Sequence, residues 1–372
     1  MKIRRFIKYL LSVILLSIIF ALIINFNSIS YNYTDDLRRI KDEIKYKILV
    51  VQSNICKEDS INIKQTLINL SFVSCDLEQY DQKVALAEQL ELTDYGKKIL
   101  LTSELVFVSD GIEIHRICGN YENIALGCAN TDKNTLYIYD TNDVRLEDIK
   151  KSVLAHEFLH LVYTRIDNKQ RVEVDKLSES VVKSQESSTL SNALNLYTKD
   201  QLLSEYHSRV ATELETLPSE LERHYLKVFQ NRTLIYSFYL PLKKLDETAD
   251  ELKIESESLN SESKVIQAQT DQVKTFANEL DLAKIKLEED RRTLDLYDIS
   301  QVENFNKKVQ DVNLQVSNYN SSIDQLQTRI DLYNSNYYKY NEKLGEYRSV
   351  YTLIDNSLVT RNEISNVDLE KK

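Results

Sequence analysis

A seven-residue repeat through the C-terminal third constrains this chain more than any other feature. Leu245, Leu252, Leu259, Ile266, Val273, Leu280, Leu287 and Leu294 follow one another at that spacing without interruption. A second series runs Val302, Val309, Val316, Ile323, Ile330, Tyr337, Leu344 and Tyr351, with companions at Phe305, Val312, Tyr319, Leu326, Tyr333, Tyr340, Tyr347 and Ile354. Apolar residues so spaced form a stripe along an α-helix, which must be covered by another helix. The two series differ in phase by one residue, so the break between them falls near 295–301. Ser300 with Glu303 reads there as a capping box that starts a new helix.

The expectation for residues 241–356 is an antiparallel coiled-coil hairpin with arms of roughly 75 Å, at 1.5 Å of rise per residue. The first arm has small or polar companions (Ala249, Ser256, Ser263, Thr270, Ala277), giving a narrow seam that an aromatic-rich second arm can fill. The same seam could pair between chains, so a protein partner through the coiled coil is a further expectation. The polar tail, 357–372, reads as disordered. Pro241, just ahead of the repeat, is expected to interrupt or kink the helix before it.

Composition agrees with long helices: 5 Gly and 2 Pro in 372 residues are few for a loop-rich β protein. A formal net charge of -11 argues against nucleic acid as a partner, because phosphate binding needs clustered Lys and Arg.

At the N-terminus, Lys2, Arg4, Arg5 and Lys8 precede an uncharged apolar run from about Tyr9 to Phe26. Roughly 18 such residues reach the lower limit for a bilayer-spanning helix. Residues 1–30 are therefore expected to form a single-pass transmembrane anchor with a cytoplasmic basic tip, and the rest of the chain would lie outside the cytoplasm. A cleaved signal peptide is the competing reading. The four cysteines, Cys56, Cys75, Cys118 and Cys128, suit an exported domain with disulfides, most locally Cys56–Cys75 and Cys118–Cys128.

After a polar linker at 31–45, residues 46–240 read as an α+β domain. Strands are expected at Lys47–Val51, Ile99–Val108, Ile112–Ile117 and Thr135–Tyr139, with Asp110-Gly111 as a hairpin turn. A helix from Asp143 or Asp148 to about Arg165 then carries His156-Glu157-Phe158-Leu159-His160. Two histidines four apart share one helix face and can bind one metal ion. Glu157 beside them is placed as a general base toward a metal-activated water. The apolar neighbours Val153, Leu154, Leu161 and Val162 imply a buried helix, and buried polar groups need partners.

At these residues the chain resembles the zincin metallopeptidases, across roughly residues 95–215 and with HEFLH as the one specific motif. The resemblance implies a zincin-like fold, a bound Zn2+ and hydrolysis of peptide bonds in a peptide or protein substrate. It also implies an edge strand along the substrate cleft, here Thr135–Tyr139. Tyr163 and Ile166 stand where metzincins carry a Gly and a third His, so that branch does not fit. The gluzincin pattern is closer. Glu205-Tyr206-His207-Ser208-Arg209 matches it at Glu205 and Ser208, while Arg209 stands where that pattern has a supporting Asp. Glu205 is the expected third metal ligand beside His156 and His160, with Glu213 and His207 as alternatives; His207 and Tyr163 are also candidates to approach the substrate oxyanion.

The expected protein is thus a membrane-anchored, extracytoplasmic zinc metallopeptidase with Glu157 as catalytic base. The alternative is a non-catalytic membrane-anchored coiled-coil scaffold with a degenerate metal-binding domain.

Overall fold

A computed structural model describes residues 34–57, 78–118, 126–140, 142–184, 197 and 199–354. The chain divides into two compact units. One comprises residues 1–243 and 350–372, the other residues 244–349.

The described part of the first unit begins with helices α1 (Thr34–Lys57), α2 (Glu78–Gln89) and α3 (Asp94–Thr102). Strand β1 (Glu104–Val108), helix α4 (Gly111–Cys118) and strands β2 (Gly127–Asn130) and β3 (Thr135–Tyr139) follow. A 3-10 turn at Val144–Leu146 leads into α5 (Glu147–Tyr163), then α6 (Asn168–Ser184), α7 (Lys199–Glu213) and α8 (Ser219–Tyr225). The sheet order is β1-β3-β2. β1 runs parallel to β3 from Glu104 opposite Thr135 to Val108 opposite Tyr139. β2 runs antiparallel to β3, with Gly127 opposite Ile138.

Helix α5 is the centre of this unit. Leu154, Ala155, Phe158, Leu159, Leu161 and Val162 are all essentially buried, so its apolar surface wraps most of the circumference. Leu136 and Ile138 of β3, Leu100 of α3, Val210 and Ala211 of α7, and Tyr225 of α8 share that core. Arg165, just past the end of α5, is only 3% exposed. Its guanidinium donates to Asp42 Oδ2 (2.6 Å), to the Leu161 carbonyl (2.6 Å) and to Asn134 Oδ1 (2.7 Å). One side chain thus caps α5 and ties it to α1 and to the β2–β3 turn. Asn134 adopts φ 56°, a left-handed conformation that asparagine tolerates better than most residues.

These elements correct the expected α+β class to a mostly helical one whose sheet has three short strands. Lys47–Val51 lies inside α1, because its apolar residues continue a helical stripe that includes the buried Ile44. Ile99–Thr102 ends α3, and only Glu104–Val108 is strand. Asp110-Gly111 makes no hairpin: Asp110 Oδ1 accepts from the Ile112 and Glu113 amides and starts α4, where Ile112–Ile117 had read as strand. Short β-branched runs serve either state, and here local capping decided for helix.

The expected transmembrane anchor at 1–30 lies outside the described residues. Among the described residues no helix is long and apolar enough to cross a membrane. Even α1, long enough in residues, carries charges such as Asp42, Glu43, Lys45 and Lys47 along its length. Membrane attachment and an extracytoplasmic location are therefore withdrawn. Cys118 and Cys128 form a disulfide, whereas a Cys56–Cys75 pair lies outside the described residues.

Helices α9 (Arg232–Arg292) and α10 (Ile299–Ile354) complete the described chain, and their residues 244–292 and 299–349 form the second unit as an antiparallel pair. Lys343 bridges Glu251 and Glu255, Arg329 meets Glu262 at 2.7 Å, Phe276 packs edge-on against Tyr319, and Lys308 meets Asp290 at 2.6 Å. As one partner number rises the other falls, which is antiparallel register. Two helices bury only one stripe each, so in α9 few seam residues, such as Leu252 and Leu280, are well covered. The second arm starts earlier than the capping box implied: Asp298 Oδ1 accepts from the Ser300 and Gln301 amides. α9 also runs through Pro241 without a break. Pro241 lacks the amide hydrogen that a residue inside a helix donates, and Ile235, Tyr236 and Phe238 of the preceding turns are buried.

Candidate metal centre

His156 and His160 project from α5 one turn apart, with ring centroids 5.1 Å from each other. Helix α7 packs across α5 and brings in Glu205. The two Glu205 oxygens divide between the rings: Oε2 lies 3.4 Å from His156 Nε2 and Oε1 lies 3.3 Å from His160 Nε2. The ligand atoms of all three residues lie within 4.8 Å of one another, and this is the group of three among the described residues that could hold a metal ion.

These separations bear on what the site can hold. At 3.3–3.4 Å they are longer than ordinary N–H···O hydrogen bonds. Two ligands each ~2.0–2.1 Å from a tetrahedral cation stand about 3.3 Å apart. Glu205 Oε2 is buried and makes no hydrogen bond. It faces His156 Nε2 and Arg209 Nε, each at 3.4 Å, so positive charge or a proton donor stands on two sides of it. The donor set, two imidazoles and a carboxylate, could hold a divalent metal ion.

The electrostatics agree. Burial disfavours the charged form of His156, yet the carboxylates of Glu205 and Glu157 outweigh it and lift its pKa to about 9. Burial alone would raise the Glu205 pKa, but His156 and His160 hold it far below the usual carboxylate range. Both shifts follow from the close approach of the carboxylate to the two imidazoles.

Two neighbours of Glu205 shape the site. Ser204 Oγ lies 2.8 Å from His160 Nδ1, a contact the sequence reading missed. Serine just before a ligand has no spacing signature; it is recognisable only once α7 is docked on α5. Arg209 Nε stands 3.4 Å from Glu205 Oε2, and its Nη1 donates to Glu213 Oε1 at 3.1 Å. Glu213, an alternative ligand, is thus engaged with Arg209 and lies outside the three-residue group.

His207, the other alternative, faces away. It is fully buried, with Nε2 3.0 Å from His224 Nε2 and the Tyr225 hydroxyl donating to its carbonyl. Two residues along a helix turn a side chain by about 200°, so His207 could not share the direction of Glu205. Tyr163 packs its ring on His207, and its hydroxyl donates to Asp175 Oδ1 at 2.9 Å. Neither side chain is disposed toward a substrate oxyanion.

Glu157 is partly exposed and stands outside the ligand group. β2 passes next to it at Gly127. The strand expected to line a substrate cleft, Thr135–Tyr139, is instead the central strand, with both edges used in pairing. β2 is the outer strand on the Glu157 side, and among the described residues it pairs on one edge only.

Comparison with protein-family models, with curated proteins and with solved structures finds no match for this chain.

Proposed function

We propose that this protein is a zinc-dependent peptidase in which His156, His160 and Glu205 hold the metal and Glu157 is the general base. One observation supports the reading: ligand atoms of two histidines on α5 and a glutamate on α7 converge within 4.8 Å of one another, close enough to share one ion. Zinc in such a site supplies Lewis acidity, lowering the pKa of a water to about 7 and polarising a carbonyl. Glu157, one residue beyond His156 and outside the ligand set, would serve as the base that takes a proton from the attacking water and as the acid that passes it to the leaving amine. The outer edge of β2, unpaired among the described residues, offers backbone groups to an extended peptide beside Glu157, which is the simplest way to hold a scissile bond there.

A second reading has one observation in its favour. Arg209 already places a cation 3.4 Å from Glu205 Oε2, as it would in a protein that uses the hairpin of α9 and α10 to bind a partner and performs no chemistry. Purified wild type and Glu157→Gln, assayed for zinc content and peptide hydrolysis, separate the two. A peptidase holds about one zinc per chain in both and loses hydrolysis only in the variant. Absence of zinc in the wild type, or equal hydrolysis by both, would falsify the peptidase reading.

A further inference from the structure

We propose that Ser204 is the positioning residue for His160, holding the imidazole from the side opposite the metal. This rests on the metal-centre reading above and adds a residue to it. Ser204 and Glu205 are consecutive on α7, so their side chains leave the helix about 100° apart. The His160 ring fills that angle. Its Nδ1 is 2.8 Å from Ser204 Oγ, and its Nε2 is 3.3 Å from Glu205 Oε1. Of the two contacts the one to Ser204 has hydrogen-bond length, so it restrains rotation of the ring about its Cβ–Cγ bond while Glu205 Oε1 only faces Nε2. Ser204 therefore sets the direction of the Nε2 lone pair before any cation arrives.

A hydroxyl suits this task because it both donates and accepts. With a cation on Nε2, Nδ1 carries the proton and Ser204 Oγ accepts it. With the Nε2 proton turned toward Glu205, Ser204 donates to Nδ1. The ring keeps one orientation in both states, so loading requires no rotation. Arg209, one turn further along α7, has donors only and could not accept from Nδ1. Ser204 is only partly buried, and alanine is the better helix former, so its removal leaves α7 intact.

The test uses the full chain as wild type, Ser204→Ala and Ser204→Thr. Zinc affinity is measured by competition with a chromogenic chelator, and thermal unfolding is followed in excess chelator. Loss of an outer partner of a ligating histidine weakens metal binding by about 10–100-fold. The expected result is that loss in the alanine variant, near wild-type affinity in the threonine variant, and one common unfolding temperature without metal. Wild-type affinity in Ser204→Ala overturns the proposal while leaving the metal centre standing. So does an equal loss in both variants with lowered metal-free unfolding temperatures, which marks Ser204 as a packing residue. A wild type that binds no zinc removes the metal reading itself, and this proposal with it.

Discussion

Gly127 of β2 lies against the turn of α5 that carries Glu157: a Cβ at Gly127 would stand 3.3 Å from Glu157 Cγ, 2.7 Å from Val153 Cγ1 and 2.9 Å from the Tyr137 carbonyl oxygen. Two of these neighbours cannot yield, one being backbone and the other a short branched side chain. Gly127→Ala should therefore push β2 off α5, costing about 1–3 kcal/mol, and lower peptide hydrolysis with it. Thermal unfolding beside a hydrolysis assay checks this; an unchanged unfolding temperature would show that the strand has room.

The metal centre should contribute to stability as well as chemistry. A ligand that binds only the folded chain adds about 2.7 kcal/mol at a free concentration of 100 times its Kd. Zinc should raise the unfolding temperature of the wild type, and chelator should reverse the rise. Glu205→Gln keeps the shape but loses the charge that His156 and His160 face at 3.3–3.4 Å, so its response to zinc should largely vanish. A full response in that variant would place the metal elsewhere.

The buried Arg165–Asp42 pair makes a separate prediction about the scaffold. Both side chains are nearly inaccessible, at 3% and 7%. Arg165→Met leaves Asp42 as a buried charge without its ion-pair partner, so about 3–5 kcal/mol should be lost. Combining it with Asp42→Leu should recover part of that. Denaturant unfolding of the two singles and the double measures the coupling, and strictly additive losses would contradict it.

Acid should loosen the α7–α8 contact. Burial, helped by Lys227, depresses the His224 pKa from 6.5 to about 4. The unfolded chain therefore binds more protons than the folded one between those values, and stability rises with pH across that window. As pH falls below about 6.5 the protein should lose up to about 3 kcal/mol from this group, with the loss complete near pH 4. His224→Gln should reduce the slope of the pH profile between 4 and 6.5 without abolishing it, because burial also depresses the neighbouring His207. The same slope in the variant would assign the acid sensitivity to other groups.

Much of the hairpin was readable as pattern. An unbroken seven-residue repeat can be satisfied only by long helices that cover one another, and the phase change near 295–301 marked the turn between Arg292 and Ile299. Short runs were not readable in the same way. Lys47–Val51 and Ile112–Ile117 carry strand-like residues, yet α1 and α4 take them, because a few β-branched side chains suit either state and the Asp110 cap favours helix. Strand Thr135–Tyr139 was legible, but its central place in the sheet depends on β1 and β2, which no local pattern encodes.

For the candidate centre, sequence alone determined that His156 and His160 share a helix face and that Glu157 lies beside it, because helical periodicity is a local property. The rest was decided by docking. Packing of α7 on α5 brought Glu205 to the two histidines, set Ser204 behind His160 and turned His207 into the core beside His224. Contacts across 44 or 45 residues of chain depend on how apolar faces of two helices fit, and that fit belongs to the folded whole.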